Sequence, residues 1–193
     1  MAVEPEPEIV LVRHGETEWS SSDRHTSYSD IPLTERGQEQ AAELAPRLMG
    51  RGFALVLTSP RTRAVDTCAF AGLGDRTELT DDLAEWNYGE YEGRTTIEIR
   101  NEVPDWTIFS HGVPGGETAA QVGARADRVL ARAADAAARG PVALFSHGHF
   151  LRVLGARWVG LAPEAGRLLG LDVATISVLG HEHEQRVLRV WNS

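Results

Sequence analysis

Three short apolar runs constrain this chain more than anything else in it. They are IVLV (Ile9 to Val12), ALVLTS (Ala54 to Ser59) and PVALFS (Pro141 to Ser146). Each is nearly continuous rather than alternating in polarity, the mark of a strand buried on both faces. Helix patterns separate them. Thr34 is an N-cap for a run in which Leu33, Ala41, Leu44, Ala45 and Leu48 recur at helical spacing, with Gly50 and Gly52 as the stop and Pro46 as a break or kink. Pro60 opens a helix through RTRAVDTCAFAGL, Glu117 to Arg139 is a long amphipathic helix, and HGHFLRVLGARWVG is a helix ending near Gly160. TELT reads as a short strand and Thr95 to Asn101 as a helix. ATISVLG and QRVLRVW read as a hairpin around HEHE. Alternating strands and helices predict an α/β fold, a mainly parallel sheet with helices on both faces. Glu16 to Asp30 reads as a loop, and PDWTIFSHGVPGGET as a lid-like insertion.

A chain of 193 residues suits one domain, expected over residues 8–193 after a flexible acidic, Pro-rich tail at residues 1–7. The formal net charge of −9 argues against a nucleic-acid partner, which needs a basic footprint. It also means that an anionic ligand must be held by local positive groups. No apolar run is long enough to span a bilayer, so no membrane partner is expected. The start lacks the basic and apolar parts of a secretory signal, and the lone Cys68 cannot form an internal disulfide; both point to the cytoplasm. A homodimer is compatible with the sequence.

In parallel α/β folds ligands bind beyond the carboxyl ends of the strands. Here the strand ends read Arg13-His14-Gly15, Thr58-Ser59-Pro60 with Arg61 and Arg63 following, and Ser146-His147-Gly148; Glu85 lies in a loop between them. Two histidines, arginines and a carboxylate at one sheet edge suit phosphoryl transfer. A neutral imidazole attacks phosphorus, guanidinium groups grip its oxygens and depress the histidine's pKa, and a carboxylic acid protonates the leaving oxygen. Gly15 and Gly148 permit close backbone approach, and the helix after His147 aims amides at an anion. The scheme calls for no metal and no cofactor.

LVRHGETEW, TSPRTRAVDT, LAEWNYGEYEG and LFSHGHFLRVL, in that order, resemble the signature blocks of the histidine phosphatase superfamily, which includes the cofactor-dependent phosphoglycerate mutases. The resemblance implies a three-layer α/β/α sandwich with a mostly parallel sheet. It implies His14 as the phosphorylated nucleophile, Arg13 and Arg63 as phosphate clamps, His147 in contact with the phosphoryl group and Glu85 as proton donor. Arg63, not Arg61, matches the family position. Ser20 stands where the mutases usually carry Asn, and the stretch from Arg94 to Glu117 is short and poor in basic residues. These departures favour a phosphatase of small phosphorylated metabolites, similar to the broad-specificity acid phosphatases. The sedoheptulose-bisphosphatase branch is a close alternative, although its cationic groups for a second phosphate have no clear counterpart in the sequence. A mutase and a non-catalytic phosphate-binding module are the competing readings. Gly148, Ser20, Thr26 and Ser27 are the further candidates for substrate contact.

Other tempting residues have plainer roles. His181 and His183 alternate like a metal pair but lack further ligands nearby. Cys68 and the aromatics Trp19, Trp86, Tyr88, Tyr91, Trp106 and Phe109 are expected to pack, some of the aromatics forming an apolar wall for the leaving group. His149 supports a helix or the pocket rim, and His111 lies within reach of substrate.

Overall fold

The structure, a computed structural model, describes residues 8–193; the expected N-terminal tail lies outside them. In chain order the elements are β1 (Ile9–Arg13), α1 (Glu18–Ser21), α2 (Glu35–Glu43), α3 (Ala45–Leu48), β2 (Leu55–Thr58), α4 (Thr62–Phe70), β3 (Thr77–Leu79), α5 (Thr96–Arg100), α6 (Ile108–His111), α7 (Ala119–Ala137), β4 (Val142–Ser146), α8 (Gly148–Trp158), β5 (Ile176–Glu182) and β6 (Gln185–Val190). The strands form one sheet in the order β3-β2-β4-β1-β5-β6. The first four of these are mutually parallel, while β5 and β6 run antiparallel as the expected terminal hairpin. Among the described residues no helix is long and apolar enough to cross a membrane.

Successive side chains of a strand point to opposite faces, and here both faces are covered. Ile9, Leu11, Leu57, Leu144 and Leu179 share one core with Val122, Val129 and Leu130 of α7 and Phe150, Leu151 and Leu154 of α8. Val10, Val12, Val56, Ala143 and Phe145 share the other with Leu44, Leu48 and Cys68. Two faces of burial explain why the strand sequences are continuously apolar. Cys68 is fully buried and its thiol pKa is pushed up by that burial, as befits a packing residue.

Two local expectations change, and the break expected near Pro46 is present. The Glu16 to Asp30 segment is not wholly irregular: Thr17 and Ser20 close a reciprocal capping box around α1. The pattern after Thr34 breaks into α2 and α3 at Leu44, because Pro46 has no N–H to continue the first helix and sits in the opening turn of the second. The insertion read as a lid is a wall. Trp106, Ile108 and Phe109 are buried in the main core, and the Trp106 indole donates to the Gly112 carbonyl at 2.9 Å.

The turn after β1 depends on two glycines. A Cβ on Gly15 would lie 2.3 Å from the carbonyl oxygen of Gly37, and one on Gly37 would lie 2.1 Å from that of Glu16. Gly15 therefore serves a backbone-to-backbone crossing with α2, not clearance for a phosphoryl group as its place in the sequence had indicated. Gly37→Ala is expected to cost about 1–3 kcal/mol or more, since neither backbone can yield cheaply. Urea denaturation measures this; an unchanged midpoint would show that the crossing is soft.

Candidate active site

The carboxyl ends of β1 and β4 are level. Arg13 pairs with Ser146 in the parallel register, and the His14 amide donates to the Ser146 carbonyl at 3.0 Å. His14 and His147 leave these neighbouring strands side by side, with ring centroids 5.1 Å apart. The His14 Nδ1 lies 2.8 Å from the Gly15 carbonyl oxygen. A carbonyl only accepts, so Nδ1 carries the proton and Nε2 keeps a free lone pair. Burial, then the charges of Arg63 and Arg13, hold the His14 pKa well below the usual histidine value. The ring is neutral at neutral pH.

Arg63 lies on the first turn of α4 and is fully buried. Its Nε donates to His147 Nδ1 at 3.2 Å, Nη1 to the Ser29 carbonyl at 3.1 Å and Nη2 to the Thr26 carbonyl at 3.1 Å. Because His147 Nδ1 accepts, its Nε2 carries the proton and donates to Ser59 Oγ at 2.7 Å. Both ring nitrogens of His147 are thus engaged by protein. Its pKa too is held well below the usual value, by burial first and by Arg63 next. Arg13 donates through Nη1 to the Leu171 carbonyl, while its Nε is buried without a partner. A Cβ on Gly148 would lie 3.2 Å from the Arg13 Cζ, so that glycine lets the guanidinium rest on the start of α8.

Glu85 occupies the helix end at which an anion was expected. Its Oε1 accepts from the Trp86 amide at 2.8 Å and the Phe150 amide at 2.8 Å, and Oε2 from the His149 amide at 3.0 Å. The amides and positive end of α8 therefore hold the protein's own carboxylate. Oε2 has the fewer donors and is the oxygen with room for a proton. Arg13, His14, Glu85, Tyr88 and Gly148 line one cavity of about 430 Å³.

The remaining candidates divide. Ser20 lines the cavity, but its hydroxyl is engaged in the capping box, accepting from the Thr17 amide at 2.8 Å. Thr26 also lines it, with its hydroxyl donating to the Arg24 carbonyl at 3.0 Å. Ser27 turns away: its hydroxyl donates to Glu92 at 2.5 Å, and it lines a different cavity with Arg61. His111 is exposed and accepts from the Thr107 amide within its own turn, away from the cavity. His181 packs on Trp158, while His183 takes the hairpin turn at φ 54°.

Several contributors were not singled out in the sequence, although Thr67 and Glu92 lie within the blocks quoted above. Thr67 accepts from the Gly15 amide and donates to the Arg63 carbonyl, tying two strand ends together. Glu92 accepts from the amides of Ser27 and Ser29 and so shapes the loop whose carbonyls hold Arg63. Arg125 pairs with Glu117 at 2.8 Å and donates to the carbonyls of Asp82 and Ala84, which positions the Glu85 loop. Each looks like an ordinary surface residue until the chain is folded. The spacing of Arg125 and Glu117, two turns apart on either side of the α7 start, was the nearest thing to a clue.

A mostly parallel α/β sheet thus carries two buried histidines, the buried Arg63 and the half-buried Arg13 at its carboxyl edge. The family model of the histidine phosphatase superfamily (branch 1) matches residues 9–193, and the chain belongs to that family. It is 44% identical over 185 residues to an acid phosphatase of Mycobacterium tuberculosis, covering 94% of this chain and 90% of that one. It is 35% identical to a sedoheptulose 1,7-bisphosphatase of Saccharomyces cerevisiae, covering 80% and 68%. The solved structure of an open reading frame product from M. tuberculosis superposes with a TM-score of 0.92 at 41% identity, covering 96% of each chain.

Four histidines in this region resist protonation. Burial is the leading cause for His14, His147 and His149, all held well below the usual value, and for His25, lowered to about 4. The unfolded chain binds those protons near pH 6.5, so the fold keeps its full stability above that value and loses it as pH falls towards the lower folded values. His25 alone accounts for roughly 3 kcal/mol between about pH 7 and about pH 4. Urea midpoints at about pH 7.5 and about pH 5 are expected to fall steeply on the acid side, and less so in His25→Phe. A flat profile would contradict the burial of neutral rings.

Proposed function

We propose that this chain is a phosphatase that hydrolyses small phosphomonoesters through a phosphohistidine on His14. The observation that carries the reading is the locked His14 tautomer. Nδ1–H is tied to the Gly15 carbonyl and Nε2 is left free, beside the buried Arg63 and the half-buried Arg13 and in a cavity shared with Glu85. The acid phosphatase and bisphosphatase relatives support it.

In the first step His14 Nε2 forms a bond to phosphorus as the ester P–O bond breaks. Glu85, protonated on Oε2, passes its proton to the departing oxygen. In the second step water attacks phosphorus, Glu85 takes the water's proton, and the P–N bond breaks to release phosphate. Arg13 supplies an unpaired buried N–H to the phosphoryl oxygens. Arg63 adds a fixed positive charge and holds His147 in place. His147 joins the phosphoryl contact by exchanging one of its present partners. The mechanism calls for no metal ion.

Hydrolysis rather than mutase chemistry fits the wall-like segment around α6. A mutase must shield its phosphoenzyme from water, and here Trp106 and Phe109 are built into the core instead of forming a mobile cover.

His14→Ala is expected to abolish phosphate release while leaving the circular dichroism spectrum and melting behaviour intact; retention of most activity would sink the mechanism. Glu85→Gln is expected to slow alkyl phosphates by about 10²–10⁴-fold. The same variant should slow p-nitrophenyl phosphate far less, because that leaving group needs no proton. Equal losses on both would remove Glu85 from the role of acid. Burial keeps His14 neutral, so its protonation is not expected to limit kcat/KM on the mildly acidic side of neutrality.

A further inference from the structure

Glu85 is held by more than the amides of α8. The most buried ion pair among the described residues, Glu117 with Arg125, stands behind its loop, the two side chains 21% and 13% exposed. The pair is bidentate: Arg125 Nε donates to Glu117 Oε1 and Nη2 to Oε2, both at 2.8 Å. The other three N–H groups go to carbonyls of the loop. Nη1 donates to Asp82 and Ala84 at 2.9 Å each, and Nη2 to Glu85 at 3.4 Å. All five donors of the guanidinium are thus used. Glu117 takes the loop from its other end. Its Oε2 accepts from the Asn87 amide at 3.0 Å, and its carbonyl from the Trp86 indole at 2.8 Å. Neither residue lines the main cavity; both line a separate one of about 250 Å³, and Glu85 is the residue common to the two cavities.

One peptide plane links this pair to the acid. The Glu85 carbonyl and the Trp86 amide belong to the same rigid unit. Arg125 fixes that unit by its carbonyl, and Glu117 fixes the next one by the Asn87 amide. The Trp86 amide is thereby aimed at Glu85 Oε1, 2.8 Å away. Arg125 also lies over the Phe150 ring, 4.9 Å from its centroid, and the Phe150 amide is the second donor to Oε1. From this arrangement we infer that the Glu117–Arg125 pair is the positioning element of the general acid: it secures both amide donors to Oε1 and so leaves Oε2, with one donor, to carry the proton for the leaving oxygen. The inference rests on the phosphatase reading, in which Glu85 is that acid. With the pair broken, the Trp86 plane is free to turn. Oε1 and Oε2 then keep one donor each, from Phe150 and His149, and the proton loses its preferred oxygen. Because Glu117 and Arg125 stand outside the main cavity, they act through Glu85 and not by touching substrate.

The test uses Arg125→Met, Arg125→Lys and Glu117→Gln, each assayed well below its melting temperature on an alkyl phosphate and on p-nitrophenyl phosphate. In Arg125→Met, kcat/KM for the alkyl ester is expected to fall about tenfold more than for the aryl ester, whose leaving group needs no proton. Arg125→Lys keeps the charge but not the fork, and should recover only part of the loss. Glu117→Gln keeps an acceptor for the Asn87 amide, should lose less, and carries the test if Arg125→Met does not fold. In a Glu85→Gln background, Arg125→Met should add less than about twofold to the alkyl ester's loss, because the group through which it acts is gone. Equal losses on both esters, or losses that multiply fully in the double variant, would reduce the pair to a structural brace and overturn the inference. Hydrogen exchange of the Trp86 amide, read without substrate, separates this from the phosphatase reading. It should quicken about tenfold or more in Arg125→Met while the amides of β1 and β4 keep their protection. Quickened exchange in a protein that forms no phosphohistidine would refute the phosphatase reading and leave the positioning of Glu85 in place. Hydrolysis through His14, with exchange unchanged in Arg125→Met, would do the reverse.

Discussion

The parallel pairing of β1 with β4 is the constraint on which the site depends. It sets Arg13 opposite Ser146 and lets the His14 amide close the ladder on the Ser146 carbonyl. Two histidines then emerge from adjacent strands at one level, with their rings in edge contact. A register slip by one residue would turn both strands' side chains to the opposite faces. It would misplace the histidines and expose two cores together. Stability and site geometry are thus enforced by the same hydrogen bonds, and the continuous apolar sequence of the strands is what makes that register unambiguous.

Burying positive charge at this edge has a cost that the surrounding chain offsets in two ways. Carbonyls of Thr26, Ser27 and Ser29 receive the Arg63 guanidinium, and Glu92 in turn holds the amides of that same loop. The imidazoles remain neutral, so no further charge is added to the cluster. Glu85 is the negative charge that acts most strongly on Arg13 and Arg63, and it is itself seated on the amides of α8. This arrangement leaves the edge electropositive within a strongly acidic protein. In the proposed mechanism an incoming phosphoryl group meets donors already oriented, with little reorganisation to perform.

What could be read before folding follows from how local each signal is. His14, Glu85, His147, Arg13 and Arg63 stand in short blocks whose order survives in the sequence, and strand periodicity placed four of them near one edge. The mainly parallel sheet, the terminal hairpin and, to within about three residues, the extents of α4, α7 and α8 followed from patterning and capping residues in the same way. Gly15 and Gly148 were recognisable as close approaches, but not what approaches them, because Gly37 and the Arg13 side chain are distant in sequence or invisible to periodicity. Ser27 resembled a substrate contact for the same reason; only the fold brings Glu92 to its hydroxyl. The segment after Arg94 read as a lid because it is short of regular hydrophobic spacing. Its few large residues, Trp106 and Phe109, suffice to bury it.

The two ends of the active region are built from different materials. The phosphoryl end is mounted on strand termini and the first turn of α4, where a shift of any residue disturbs a core. The smaller cavity that adjoins the main one is lined from α5, the approach to α6, the Pro163–Leu168 turn and the second turn of α8. Arg100 and Arg167 sit on exposed faces and can change with little effect on the sheet. Arg152 lines both cavities, as do His25, Thr96 and His149, and it lies on the helix whose first amides hold Glu85. In the proposed mechanism the proton for the leaving oxygen is therefore held at the start of a helix that is packed into the core.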